Sequence, residues 1–157
     1  MSTLAVQPER LWFLDALVTI PVAHADGKDG VSVIEATAPY GDSPPLHVHR
    51  SEDEIFHVLE GELRLQVGGR DLRLAAGETA LARQGVPQSY RVESLDGARW
   101  LVVTTSGDFE QVVRTFGRPA EQPDLPEPAA APTSEQIEAL EAVCRASKID
   151  LVGPPLL

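Results

Sequence analysis

At 157 residues the chain suits one domain with room for an appendage, and it is long enough to bury a core without staples. Its single cysteine, Cys144, excludes an intramolecular disulfide framework and fits a reducing compartment. Thirteen Lys plus Arg against 24 Asp plus Glu leave a net charge of −11, which argues against binding to nucleic acid or to an anionic membrane surface.

The first apolar stretch, Leu11 to Val22, ends near Ala23-His24-Ala25 and so imitates a secretion signal. Glu9 offsets Arg10, Asp15 interrupts the run and Pro21 ends it, so an ordinary β-strand is the better reading. No apolar run approaches the roughly 18 residues that span a bilayer. The expectation is a soluble, cytoplasmic protein. Leu17–Ile20 is β-branched and precedes Pro21. Asp26–Gly30 is a turn cluster, Val31–Ala36 a second strand, and Pro39–Pro45 a loop. Strands are expected at Leu46–His49, Glu54–Glu60, Glu62–Val67 and Asp71–Leu74, with Gly68-Gly69 turning the last pair. Thr79–Ala82, Gln88–Val92 and Ala98–Thr104 complete the set. No helical pattern separates these strands, which excludes parallel βαβ units and leaves a sandwich or barrel.

The pattern changes near Gly107. Phe109, Val112, Val113 and Phe116 recur at helical spacing and Gly117 is a stop, which predicts a helix over 108–116. Five prolines between Pro119 and Pro132 predict an extended surface linker. Thr133, with Gln136 as its capping-box partner, opens a second helix whose apolar stripe is Ile137, Leu140, Val143 and Cys144. The division expected is a barrel over 11–106 and an extension over 107–157. Within the extension lie helix 108–116, linker 117–132, helix 133–146 and a docked tail 147–157. Its acidic helix suits docking on the domain or on a second subunit.

The chemistry concentrates between Gly41 and Gly61, at the spacing G-x5-H-x-H-x4-E-x6-G. If His47-Val48-His49 is extended, both imidazoles point to one side. A tight turn at Arg50-Ser51-Glu52 then brings Glu54 back on the neighbouring strand to face them. Two histidines and a carboxylate form the facial set of non-haem iron sites. The alternatives are surface histidines on an edge strand, or imidazoles lining a metal-free pocket. Glu52 and Asp53 are competing carboxylates: Asp53 should face away from Glu54, and Glu52 lies nearer the turn. His57, three residues beyond Glu54, should face a packing sheet or subunit interface. Cys144 lies on a helix stripe far from any base and is rejected as a nucleophile.

The Gly41–Gly61 spacing resembles the first motif of the cupin superfamily in full. The second motif, roughly G-x5-P-x-G-x2-H-x3-N, is half matched. Gly77 and Gly85 are present, Arg83 replaces the proline, Gln88 replaces the histidine and Val92 the asparagine. The segment Asp53–Glu62 and the C-terminal Gly153-Pro154-Pro155 resemble single-domain cupins grouped with quercetin 2,3-dioxygenase. The resemblance implies an all-β fold, an antiparallel β-barrel or double-stranded β-helix (jelly roll), here with a C-terminal helical appendage. It also implies a divalent iron, nickel, manganese or zinc ion on His47, His49 and Glu54, with Gln88 at the fourth ligand position. The implied activity is dioxygen-dependent cleavage of a small aromatic or enediol substrate such as a flavonol, with Glu54 as the catalytic proton acceptor.

Gln88 leaves three outcomes open. The site keeps three protein ligands plus waters, or Gln88 completes it through its amide oxygen, or metal is lost and a hydrogen-bonding pocket remains. In the last case the protein is a non-enzymatic sensor or carrier, in which Gln88, Tyr90 and the histidines supply hydrogen bonds around a small apolar or aromatic molecule. Single-barrel cupins commonly pair through their outer sheets, so a homodimer is expected.

Overall fold

Alternation of apolar and polar side chains along short strands decides the architecture. The computed structural model describes residues 8–157. Its strands are β1 (Glu9–Phe13), β2 (Ala16–Val22), β3 (Ser32–Ala38), β4 (Leu46–His49), β5 (Glu54–Glu60) and β6 (Glu62–Val67). They continue with β7 (Arg70–Ala75), β8 (Thr79–Ala82), β9 (Gln88–Val92), β10 (Ala98–Thr104), β11 (Arg118–Pro119) and β12 (Ile149–Gly153). Two helices follow the barrel strands, α1 (Asp108–Phe116) and α2 (Ser134–Ala146). Two antiparallel sheets result, in the orders β11-β1-β2-β3-β10-β5-β8 and β12-β4-β9-β6-β7. From β3 to β10 the chain repeatedly crosses from one sheet to the other, as a jelly roll does.

Between the sheets lies the core. Every second residue of β3 and β10 is buried, and Ile34, Ala36, Trp100 and Val102 meet Leu63, Leu65 and Val92 of the other sheet. Each large side chain removed from water contributes roughly 1.5–3 kcal/mol. Gly61 is one of the crossing points. It adopts φ +80°, and a Cβ there would lie 2.5 Å from the Gly97 carbonyl oxygen and the Ser94 hydroxyl. Only glycine suits this corner. Leu72 and Leu81 lie on the outer faces, 40% and 47% exposed.

Three features depart from the sequence reading. Leu11–Val22 is not one strand but the hairpin β1–β2, in which Phe13 pairs with Ala16 across Leu14-Asp15. Leu14 takes φ +54° there, and leucine in a turn offers no Gly or Asn signal. Arg118-Pro119, at the head of the linker, pairs with β1 at the sheet edge, where a proline without an N–H is tolerated. Ile137, expected on the apolar stripe of α2, is 48% exposed.

The C-terminal elements fold back on the histidine strand. Thr133 Oγ1 accepts the Gln136 amide at 3.2 Å, and Gln136 Oε1 accepts the Thr133 amide at 2.9 Å, which sets the start of α2. Leu140, Val143 and Cys144 then pack with Val112 of α1 and Ile149. Strand β12 pairs with β4, placing Ile149 opposite His49 and Leu151 opposite His47. Among the described residues no helix is long and apolar enough to cross a membrane.

Candidate metal centre

His47 and His49 lie two apart on β4, so their rings share one face, with centroids 5.1 Å apart. Glu54 reaches them differently from the sequence reading. Strand β5 is not the neighbour of β4 but belongs to the opposite sheet, and the turn after His49 is a corner that carries the chain across the barrel. Glu54 therefore faces the histidines from the other wall. One ligand atom from each of His47, His49 and Glu54 falls within 4.8 Å of the others. Gln88 of β9 pairs directly with His47 of β4, and side chains opposite one another on neighbouring strands share a face. Gln88, 1% exposed, thus also faces inward.

Hydrogen bonds determine which ring nitrogens point at the centre. His47 Nδ1 lies 2.7 Å from the Pro45 carbonyl oxygen, and a carbonyl can only accept, so Nδ1 carries the proton. His49 Nδ1 likewise donates to Glu52 Oε1 at 2.7 Å. Both Nε2 lone pairs are left for the interior. Glu52 is therefore not a rival ligand. It lies behind His49, 1% exposed, and also accepts the Phe109 amide at 2.9 Å and the Ser106 hydroxyl at 2.8 Å. Its one sequence signal is the position three residues after His49, where it reads as a competitor of Glu54.

A metal fits these residues. His49 Nε2 and Glu54 Oε2 are buried 3.0 Å apart without hydrogen-bond alignment, and both amide ends of Gln88 are buried without a partner. Buried polar atoms normally find partners, and two imidazole nitrogens with a carboxylate oxygen suit a first-row divalent ion. The charges agree. Burial would raise the Glu54 carboxyl, but the charge and contact of His49, then His47 and the nearby Gln88 amide, hold it below its usual range. Burial would lower His49, yet Glu54 and Glu52 together push it up to about 10. His47 is lowered by burial and by the charge of His49. A proton and a metal thus compete for the same lone pairs.

Other candidates fall outside the cluster. His57 is on the outer side of β5, with Nδ1 2.8 Å from Thr79 Oγ1. Asp53 accepts the Gln84 amide at 2.9 Å. Cys144 is nearer to the histidines than its sequence position suggests, for it lines a small apolar pocket that also touches His47 and His49. Burial, with Glu141 nearby, pushes its thiol up to about 11, which leaves it a packing residue.

The larger cavity beside the centre has a volume of about 70 Å3. His47 and Glu54 line it together with Phe13, Phe56, Phe109 and Pro44, and His47 stays accessible through it. Tyr90, expected to hydrogen-bond a ligand in the sensor reading, also lines it, and so does Asp42, which carries no functional signal in the sequence. Burial raises Asp42 to about 6, against the opposing hydrogen bond from Tyr90 and with a further push from Asp15. An acid raised in the folded state destabilises it at pH values above that raised value, and the penalty disappears as pH falls toward 3.8. Asp42→Asn is therefore expected to stabilise the protein at pH 8 by about 1–3 kcal/mol. Its advantage should fade between pH 6 and 4, which thermal melts across this range would read. An equal effect at pH 8 and pH 4 would contradict the assignment.

Two facing antiparallel sheets with this cluster between them define the class. Residues 34–104 match the profile of the cupin domain family, so this stretch is a cupin domain. It resembles quercetin 2,3-dioxygenase of Bacillus subtilis (strain 168), at 28% identity over 128 residues, 82% of this chain and 38% of that relative. The chain thus spans well under half the length of the curated relative it matches. A solved structure from Thermotoga maritima, described as a predicted oxalate decarboxylase, superposes with a TM-score of 0.56 at 21% identity over 66% of this chain and 97% of that one. The polyketide cyclase RemF from Streptomyces resistomycificus gives 0.53 at 23% identity over 66% and 78%. Both likenesses speak for the fold alone.

Proposed function

We propose that this cupin is a metal-dependent dioxygenase of a small aromatic or enediol substrate. The observation that carries the reading is the convergence of buried His49 Nε2 and Glu54 Oε2, which lie against one another, with His47 beside a largely apolar cavity. His47, His49 and Glu54 would hold divalent iron, nickel, manganese or zinc, with Gln88 Oε1 as a weaker fourth donor. When bound, such an ion supplies Lewis acidity and open positions for an oxygen-donor substrate and dioxygen.

The chain's own residues do the rest. Pro45 and Glu52 hold the two imidazoles in the tautomer that offers Nε2. Glu54, kept ionised, accepts the proton of an acidic enol or phenol at Oε2. Phe13, Phe56 and Phe109 exclude water from the reacting groups.

Protein purified without chelator should carry about one transition-metal ion per chain and consume dioxygen when given a flavonol or smaller enediol. Absence of metal, together with failure to bind added iron, nickel, manganese and zinc, would end this reading. A second reading, a non-enzymatic sensor or carrier, draws on Gln88, whose amide stands where an imidazole would bind metal more strongly. It requires ligand binding without turnover with or without metal. Gln88→His should tighten metal binding at least tenfold on the dioxygenase reading, about one good ligand's preference, and unchanged affinity would remove residue 88 from the site.

We also propose a cytoplasmic homodimer. Leu72 and Leu81, on the edge strands β7 and β8, are 40% and 47% exposed and support pairing through the outer faces. A monomer at micromolar concentration in sedimentation would refute the dimer.

A further inference from the structure

Asp42 and Tyr90 add polar chemistry to the cavity beyond the His–Glu cluster. Tyr90 donates its hydroxyl proton to Asp42 Oδ2 at 3.0 Å. Oδ1 makes no hydrogen bond among the described residues, so its lone pairs remain available. The backbone fixes Asp42 in place. Its amide donates to the Pro39 carbonyl at 3.1 Å, its carbonyl accepts the Val92 amide at 3.0 Å, and the Gly41 amide donates to the Val92 carbonyl at 2.9 Å. Gly41 makes this possible with φ +83°.

Charge and size narrow what can enter. Asp42 and Glu54 line the cavity, Asp15 lies close enough to act on Asp42, and neither Lys nor Arg is among the described lining residues. A dicarboxylate such as oxalate would meet carboxylates and no cationic side chain. The volume is about 70 Å3, which favours one ring or a short open chain over a multi-ring ligand.

We propose that Asp42, anchored by Tyr90, is the specificity-determining acceptor of this cavity. It selects a small, uncharged, single-ring or open-chain ligand that presents a hydroxyl group as hydrogen-bond donor, and it rejects carboxylates. The assignment rests on the dioxygenase reading for the ligand's other end, which an ortho-diol or enediol would direct to the metal centre.

Three anaerobic probes share a metal-binding ortho-diol and differ only at the distal group: 1,2,4-trihydroxybenzene, catechol and 3,4-dihydroxybenzoate. Calorimetry on the metal-loaded protein should find the triol about tenfold tighter than catechol, the effect of one hydrogen bond to a charged acceptor. The benzoate should bind at least about tenfold more weakly than catechol, because like charges repel in a poorly solvated site. Asp42→Asn keeps the shape and should shrink both gaps to about two- to threefold, and Asp42→Ser should do the same. Equal affinities for the three probes, gaps that stay tenfold in both variants, or no binding of the triol would overturn the proposal. His47→Ala separates the two ideas. Probe order retained there, with affinity unchanged, supports Asp42 and removes the metal reading. Metal-dependent binding without discrimination does the reverse.

Discussion

His47→Ala is expected to lower divalent-metal affinity by a hundredfold or more and to leave the barrel folded. A structural zinc site contributes roughly 10–16 kcal/mol through four ligands, so one imidazole accounts for about 3 kcal/mol, or about a hundredfold in affinity. The loss should be at the severe end here, because the cluster offers only three strong donors and Gln88 is a poor substitute. The fold has less at stake. His47 makes one local hydrogen bond, to Pro45, and it borders a cavity whose lining can relax. Competition titration with a chromophoric chelator reads the affinity, and thermal unfolding of the metal-free protein reads the fold. Wild-type affinity in a folded His47→Ala protein would sink the three-ligand centre.

Glu52→Ala should be more damaging to the molecule as a whole. Glu52 and His49 are at 0% and 1% side-chain exposure, 2.7 Å apart. The same carboxylate accepts the Phe109 amide in the first turn of α1 and the Ser106 hydroxyl. Removing it leaves His49 Nδ1–H, a helix amide and a hydroxyl without their acceptor in a dry site. Breaking one side of a buried ionic contact costs about 3–5 kcal/mol, and Glu52→Ala is expected to lose that much stability. Glu52→Gln keeps the shape and one acceptor oxygen, so it should retain most of the stability. It should still weaken metal binding about 10- to 100-fold, because His49 loses the carboxylate that orients it and raises its basicity. Rescue of metal affinity by Glu52→Asp to a level above Glu52→Gln would support the role of charge. Unchanged metal affinity in Glu52→Gln would reduce Glu52 to a packing contact.

The role of Glu52 was illegible in the sequence for a physical reason. His49 and Glu52 are separated by a corner, and an i, i+3 spacing in irregular backbone does not determine on which side of a ring a carboxylate arrives. Its other partners, Ser106 and Phe109, lie 54 and 57 residues away. The contact of Asp42 with Tyr90 is hidden likewise, since the two are 48 residues apart and meet only because the Pro39–Pro45 loop is bonded to β9. The turn at Leu14-Asp15 leaves no mark in the sequence because nothing about a leucine announces positive φ.

Local chemistry, by contrast, was readable wherever one face of a strand must avoid water. Glu54–Glu60 and Ala98–Thr104 alternate buried with partly exposed side chains, and their bounds agree with those expected from the sequence. The same period of two puts His47 and His49 on one face whatever surrounds them. The sequence alone therefore determined the class of fold and the three residues that could meet a metal, because both follow from periodicity and spacing within a few residues. Only the tertiary structure decided that Glu54 approaches from the opposite sheet, that Gln88 faces inward beside His47, and that Glu52 stands behind His49. Those relations depend on which strands become neighbours, and that is set by burying the whole core at once.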